Sequence, residues 1–526
     1  MGIYINKGNT AFQRVLRSEY VDKSGLIGVV NDLLFSDLQF SCVTRCRRFG
    51  KSMAAKMLAA YYDCSCDSRA LFANLEIAGD PSFEEHLNKY PVLYLDVTDF
   101  ISRYHGDQDI IVRMQQEVME DVHEAYPDVP MQEGDDLMRL LQRIQAATGQ
   151  PFFFIIDEWD AICREFKPGT KGMDDYVSWL RRMFKSVTAY DVFAGVYMTG
   201  ILPIRKFRTQ SALNNFQEYS MLSPGDMASY FGFTREEVQA LAEKHGMDFA
   251  ELEKWYDGYQ IGRQPSMFNP NSVMQALRRK SCESFWGMTG AFDAISDYID
   301  MNYEGLKDDI IRMLAGERCD VDITGFTNDL YEIRSRDDVL TVLCHLGYLT
   351  YDVREHECYI PNLEVSGEMS QAVKTNGWTN VADALRQSKA LLRATLNGDE
   401  QAVARAIDAA HSEQTSILSY NNENSMACVL SIAYYFAHGD YIIHRELATG
   451  KGFADLVFVP RKNVSSPAMV VELKFAHAVE TAIDQICQKR YPEKLQQYTG
   501  DVLLVGVSYD RETKTHSCKI EKLQTP

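Results

Sequence analysis

Between Gln39 and Gly200 the chain repeats one phrase: a short apolar run, a turn, and a longer amphipathic stretch. The runs are Phe40–Val43, Val92–Val97, Phe152–Ile156 and Val192–Met198. Each is too short for a typical helix, and unbroken apolar runs are what strands covered on both faces require. Parallel neighbours need a helical crossover, so the alternation predicts an α/β fold with a mostly parallel sheet. From about Ser223 to Met369 helical periodicity takes over, as in Thr234–His245, with a turn-rich break at Trp255–Tyr259. Val339–Thr350 followed by Tyr351–Val353 and Cys358–Ile360 reads as a helix and a small hairpin, a winged-helix-like shape. The last part begins with helical sequence from Val381 to Ala410. It ends as strand, hairpin, strand, helix, strand between Tyr441 and Lys522. Three domains are expected in the 526 residues: 1–222, 223–370 and 371–526.

The first strand leads into Arg45-Cys46-Arg47-Arg48-Phe49-Gly50-Lys51-Ser52, after which Met53–Tyr62 carries good helix formers with no Gly or Pro. Strand, loop, helix is the order that phosphate binding needs. Loop amides and the helix N-terminus supply positive potential, Lys51 reaches terminal phosphates, and the Ser52 hydroxyl can ligate Mg²⁺. Gly50 lets the backbone approach closely. The first glycine of the G-x-x-x-x-G-K-[ST] pattern would fall at position 45, where this chain has Arg. Gly-Lys-Ser alone is common in ordinary helix starts, and an apolar strand running into a polar loop is common too. The second half of the site is Phe152–Asp160, in which Asp157 would join the Mg²⁺ shell and Glu158 would face the attacking water. The two halves together point to a bound nucleotide. Arg47 and Arg48 offer charge to the phosphates. Thr199 offers a hydroxyl to the terminal phosphate, although taken alone it reads as a turn residue.

With 54 basic and 74 acidic residues the net charge is −20, which repels a polyanion on average, so nucleic acid would have to meet a local basic face or a bound cation. Sparse cysteines without C-x-x-C spacing read as reduced cytoplasmic thiols. No apolar run is long enough to span a bilayer, and the N-terminus lacks the pattern of an export or acylation signal.

A second constellation lies near the C-terminus. Gly452–Val459 and Ala468–Phe475 read as two strands joined by a polar turn. With a period of two, Glu472 and Lys474 share a face, and Asp455 on the neighbouring strand could join them. Asp455 and Glu472 would offer hard oxygen ligands to Mg²⁺, while Lys474 would orient a water and stabilise charge on a scissile phosphate. Gln485, early in a following helix, and Glu423, ahead of the helical run Met426–Phe436, are further candidates; individually they read as a solvated helix residue and a helix-start acid. The plainer reading of Asp455, Glu472 and Lys474 is a cross-strand salt bridge on a half-exposed sheet.

Taken together these residues resemble the bacterial and archaeal family of AAA-ATPase-like proteins that carry a C-terminal PD-(D/E)XK nuclease-like domain. The matching motifs include Tyr20-Val21-Asp22-Lys23-Ser24, the loop Arg45–Ser52, Asp157-Glu158, Thr199-Gly200 and Leu213-Asn214-Asn215. Tyr256-Asp257-Gly258-Tyr259, Phe268-Asn269-Pro270 and Gly347-Tyr348-Leu349-Thr350 match too, as do Asp455, Glu472-Leu473-Lys474 and Gln485-Ile486. The family usually has proline where this chain has Cys46, and arginine where it has Phe453. The resemblance implies a P-loop NTPase parallel sheet, a helical or winged-helix-like middle domain and a C-terminal α/β nuclease-like domain. It also implies ATP and Mg²⁺ as cofactors, nucleic acid (DNA or RNA) as substrate and a possible homo-oligomer. The expected function is ATP-regulated cleavage of phosphodiester bonds. The alternative is a nucleotide-dependent switch whose nuclease-like domain recognises or oligomerises without cutting.

Overall fold

Each of the four apolar runs forms a strand: β1 (Phe40–Thr44), β2 (Val92–Asp96), β3 (Phe152–Asp157) and β4 (Phe193–Gly200). The computed structural model describes residues 2–204, 213–286, 305–314, 316–327, 333–375, 379–414, 433–448, 453–461, 466–475, 500–510 and 515–523, with isolated positions between them. At 265, 374–375, 379–386, 411–414, 438–439, 445–448, 453–455 and 473–475 the description covers the backbone alone. A fifth strand, β5 (Gln217–Tyr219), was not expected; its three polar residues pair with β1 at the sheet edge. The order is β2-β3-β4-β1-β5 and every neighbouring pair is parallel.

The strands are apolar throughout because both faces are covered. Along β3, Phe152, Phe154 and Ile156 join a core with helices α1 (Ile110–Ala125), α2 (Leu137–Thr148) and α3 (Lys171–Phe184). Phe153 and Ile155 point the other way, into a core built on the helix Lys51–Tyr62, here called αP. Each fully buried Phe or Ile of this kind contributes about 1.5–3 kcal/mol.

Two antiparallel pieces follow. Strands β6 (Phe233–Thr234), β7 (Tyr259–Ile261) and β8 (Gln264–Phe268) form a small sheet in the order β6-β8-β7. Helix α4 (Arg235–His245) starts on a capping box, in which Thr234 and Glu237 satisfy each other's backbone N–H groups. Helix α5 (Pro270–Arg279) starts with Asn269 as its cap and proline at its first position. Helix α6 (Arg336–Leu346) opens on a second capping box, Ser335 with Asp338, and is followed by the hairpin β9 (Thr350–Asp352) and β10 (Glu357–Tyr359). The helix and hairpin expected from the sequence are therefore present, but the cap moves the helix start upstream of Val339 and Gly347, at φ 85°, ends it at Leu346, so that Thr350 opens the hairpin.

The chain divides into two compact units, Met1–Glu283 with Val321–Cys358, and Ser284–Asp320 with Tyr359–Pro526. In the second unit the helical stretch read as Val381–Ala410 is two helices, α7 (Thr379–Leu396) and α8 (Glu400–Gln414). Gly398 separates them at φ 72°, in the left-handed region that ends a helix cheaply only for glycine. A five-stranded mixed sheet follows: β11 (Tyr441–Ala448), β12 (Phe453–Pro460), β13 (Ala468–Phe475), β14 (Val502–Asp510) and β15 (Thr515–Leu523), in chain order. Only β13 and β14 are parallel to each other within it. Leu456, Phe458, Met469, Val471, Leu503 and Val505 of one face pack with residues of α7 and α8, and Val457, Val470 and Leu504 with a smaller cluster on the other. Asp408 of α8 ties down β15 by accepting from the backbone N and Nδ1 of His516, both at 2.7 Å. Among the described residues no helix is long and apolar enough to cross a membrane, and every described cysteine is free.

Candidate functional site

The loop after β1 has the form its sequence dictates. Gly50 is the N-cap of αP at φ 93°, a conformation that lets the helix begin directly at Lys51. Arg48 is also left-handed, at φ 68°. Arg45, in the place of the expected glycine, is fully buried. Its guanidinium donates to the carbonyl oxygens of Thr44 (2.9 Å), Tyr219 (2.6 Å) and Met227 (3.2 Å) and lies over the Phe231 ring. Burial pulls it down to about 10, still charged near neutrality. Arg45 thus fastens the end of β1 to β5 and to the segment beyond it. Arg45→Met should destabilise the fold by about 3 kcal/mol, because these buried carbonyls lose a charged donor; chemical denaturation with an unchanged m-value would check it.

Lys51 is 4% exposed and donates to two carbonyls of its own loop, Arg45 O (3.0 Å) and Cys46 O (3.2 Å). Its Nζ stands 3.7 Å from Oε1 of Glu158. Glu158, directly after β3, is held at φ 54°, which for a residue with a side chain costs about 1–3 kcal/mol and marks an over-determined position. Its other oxygen accepts from Arg164 at 2.6 Å on the helix Ala161–Glu165. Burial pushes the Glu158 carboxyl up, while Lys51 and Arg164 pull against that. Arg164 also reaches Asp160 at 3.2 Å, a buried acid that accepts from the backbone of Ile201 and Leu202. Asp157 is buried, with Oδ1 accepting from Thr199 Oγ1 (2.7 Å) and Oδ2 from Tyr94 (3.0 Å).

Gly50, Lys51, Ser52, Arg48 and Glu158 line one cavity of about 400 Å³, within the size range of small-ligand pockets. Asp157 and Thr199 do not line it: they bond to each other instead. Arg47 is half-buried and outside the lining. The opposite wall contains none of the site residues expected from the sequence. It is formed by Ser18–Val21, by Tyr230, Gly232 and Phe233, and by one stripe of α5: Pro270, Asn271, Met274, Gln275 and Arg278. Two of the family-like motifs, Tyr20-Val21 and Phe268-Asn269-Pro270, were the only local signal for it. Tyr20 is anchored by donating to Met57 Sδ at 3.4 Å, and Lys23 by an ion pair with Glu237 at 2.6 Å.

In the second unit Glu472 lies in β13, is buried, and pairs by register with Gly506 of β14. Position 455 in β12 and position 472 in β13 each adjoin the Leu456–Val471 pair of the ladder. The side chains of Asp455 and Lys474, and all of Gln485 and Glu423, lie outside the described residues. Among the described residues no three His, Cys, Asp or Glu side chains form a metal-holding group.

Residues 8–208 match the family model described as "Predicted AAA-ATPase", and residues 421–518 match the "PD-(D/E)XK nuclease superfamily". The chain joins an AAA-ATPase-like module to a PD-(D/E)XK-type module. A curated relative, "Uncharacterized protein in vnfD 5'region" of Azotobacter chroococcum mcd 1, is 22% identical over 533 residues, covering 94% of each chain. Among solved structures, a Walker-type ATPase of Pyrococcus abyssi is similar at a TM-score of 0.34 and 14% identity, over 66% of this chain and 94% of its own. The ORC2 protein of Aeropyrum pernix is similar at a TM-score of 0.32 and 11% identity, over 69% of this chain and 98% of its own. The AAA-ATPase-like module contains the whole cavity wall from Ser18 to Glu158, and the PD-(D/E)XK-type module contains Asp455 and Glu472.

Proposed function

We propose that this chain binds and hydrolyses ATP with Mg²⁺ and uses nucleotide state to regulate a metal-dependent nuclease. Residues 1–222 hold the nucleotide, 223–370 transmit its state and 371–526 cut DNA or RNA. The observation that carries the first half is the cavity at the start of αP, where Lys51, Ser52 and Glu158 converge. The loop amides and Gly50 cradle phosphate, Ser52 and Asp157 hold Mg²⁺, and Glu158 takes the proton of the attacking water. Lys51 exchanges the carbonyls of Arg45 and Cys46 for phosphate oxygens, and Arg47, Arg48 and Thr199 assist at the phosphates. Asp455 and Glu472 hold the second metal site, with Lys474, Gln485 and Glu423 around it. The match to a PD-(D/E)XK superfamily supports that half. The protein works in the cytoplasm, and nucleotide binding between copies would make it a homo-oligomer.

Cleavage of a mixed DNA and RNA panel, assayed beside ATP hydrolysis for wild type, Lys51→Ala and Asp455→Ala, tests the proposal. Cleavage that needs both residues supports it. Cleavage lost only in Asp455→Ala would remove ATP control, and ATP hydrolysis without any cleavage would leave a nucleotide-driven switch.

The pH profile of ATP turnover offers a separate check. A general base works deprotonated, and burial raises Glu158 above its ordinary 4.5. The acid limb of kcat/KM should therefore lie above that value and disappear, with the activity, in Glu158→Gln. A limb at or below 4.5 would remove Glu158 from the role.

A further inference from the structure

The cavity has two distinguishable ends, fixed by contacts of the residues that flank α5. At one end Gly232 N donates to the carbonyl of Phe49, the residue before Gly50, and a Cβ at 232 would meet both Phe49 Cδ1 and Phe268 O at 3.3 Å. Phe268 directly precedes the cap of α5, so the first turn of that helix lies at the phosphate-loop end. At the other end Lys280, just past α5, donates to the carbonyl of His245, whose ring meets Glu19. The stripe from Asn271 to Arg278 therefore runs about 10 Å away from the phosphate loop.

Asn271 Nδ2 is buried and has no acceptor among the described residues. Its own helix does not need it: Asn269 Oδ1 already accepts from the backbone of Asn271 (3.0 Å) and Ser272 (3.3 Å). A buried amide donor without a partner is rare in folded proteins, and this one belongs to a residue in the wall of a ligand-sized cavity. Phosphate oxygens only accept hydrogen bonds, so a neutral N–H₂ donor complements them without a competing lone pair.

We infer that Asn271 is a ligand-binding residue whose Nδ2 donates to a phosphate oxygen of the nucleotide held at Gly50–Ser52, joining the phosphate loop to α5 through the ligand. This rests on the nucleotide reading given above. It adds a contact from a segment more than two hundred residues further along the chain, so that α5 is drawn to the loop when the site is filled.

The test uses the full chain, a fluorescent ATP analogue with Mg²⁺, and thermal melting with and without ATP. Because Nδ2 has no partner among the described residues, Asn271→Ala should melt within about 2 °C of wild type without ligand. Its affinity for ATP should fall about tenfold or more, and the ATP-induced rise in Tm should shrink with it. Asn271→Asp, acceptor-only and charged, should lose about 100-fold. Tripolyphosphate should compete less well against the variants by the same factor. The inference is overturned if both variants bind ATP like wild type while Lys51→Ala loses it, which leaves the nucleotide site standing. It is also overturned if tripolyphosphate competes equally in all three, or if Asn271→Ala melts several degrees lower without ligand. ATP binding that survives Lys51→Ala would instead bring down the nucleotide reading itself.

Discussion

Lys51→Ala is expected to weaken Mg·ATP binding by about 100-fold, the loss of a charge-assisted hydrogen bond to phosphate. The geometry at Lys51 sharpens this. Lys51 donates to the carbonyls of Arg45 and Cys46 and stands 3.7 Å from Glu158, so the variant also leaves those carbonyls without this donor and Glu158 with Arg164 alone of its two cations. Glu158→Gln should behave differently. It keeps the size of the side chain and an acceptor for Arg164, so nucleotide binding stays close to wild type. Hydrolysis falls by about 10³-fold, the scale of a lost general base. Isothermal titration and single-turnover phosphate release separate the two. Equal losses of binding in both variants would mean that Glu158 shapes the pocket rather than the chemistry.

In the C-terminal module, Asp455→Ala and Glu472→Gln should each lower phosphodiester cleavage by about 10³-fold, because a metal ion supplies several kcal/mol of charge stabilisation and each 1.4 kcal/mol is a factor of ten. ATP hydrolysis should remain within about twofold, since neither residue is among those that line the nucleotide cavity. Glu472 is buried in β13 directly after the apolar run Ala468–Val471. Cleavage that rises with Mg²⁺ in wild type and is restored in neither variant by excess metal supports the pair as ligands. Undiminished cleavage in Glu472→Gln would reduce its role to packing.

The difference between what is local and what is distant explains how well each part can be read from the chain. The strands β1 to β4 are legible because a strand covered on both faces has to be apolar at every position, and Phe152–Ile156 can be little else. The phosphate loop is legible because Gly50, Lys51 and Ser52 act within one helical turn. β5 is not, because three polar residues, Gln217 to Tyr219, carry no periodicity and become a strand only by pairing with the edge of β1. Arg45 reads as a flaw in the glycine pattern until its three carbonyl partners, one beside it and two over 170 residues on, show that it is a fastener. Thr199 taken alone reads as a turn residue, and only the fold shows its hydroxyl donating to Asp157.

By itself, then, the amino-acid order determined the parallel sheet, the loop that can cradle phosphate, and the two modules, since each depends on the period of burial or on spacing along a single element. Only the tertiary structure decided what faces that loop. The second wall of the cavity comes from Tyr20, Phe233 and the Asn271–Arg278 stripe, and which distant residues meet is settled by chain topology and packing rather than by spacing along one element.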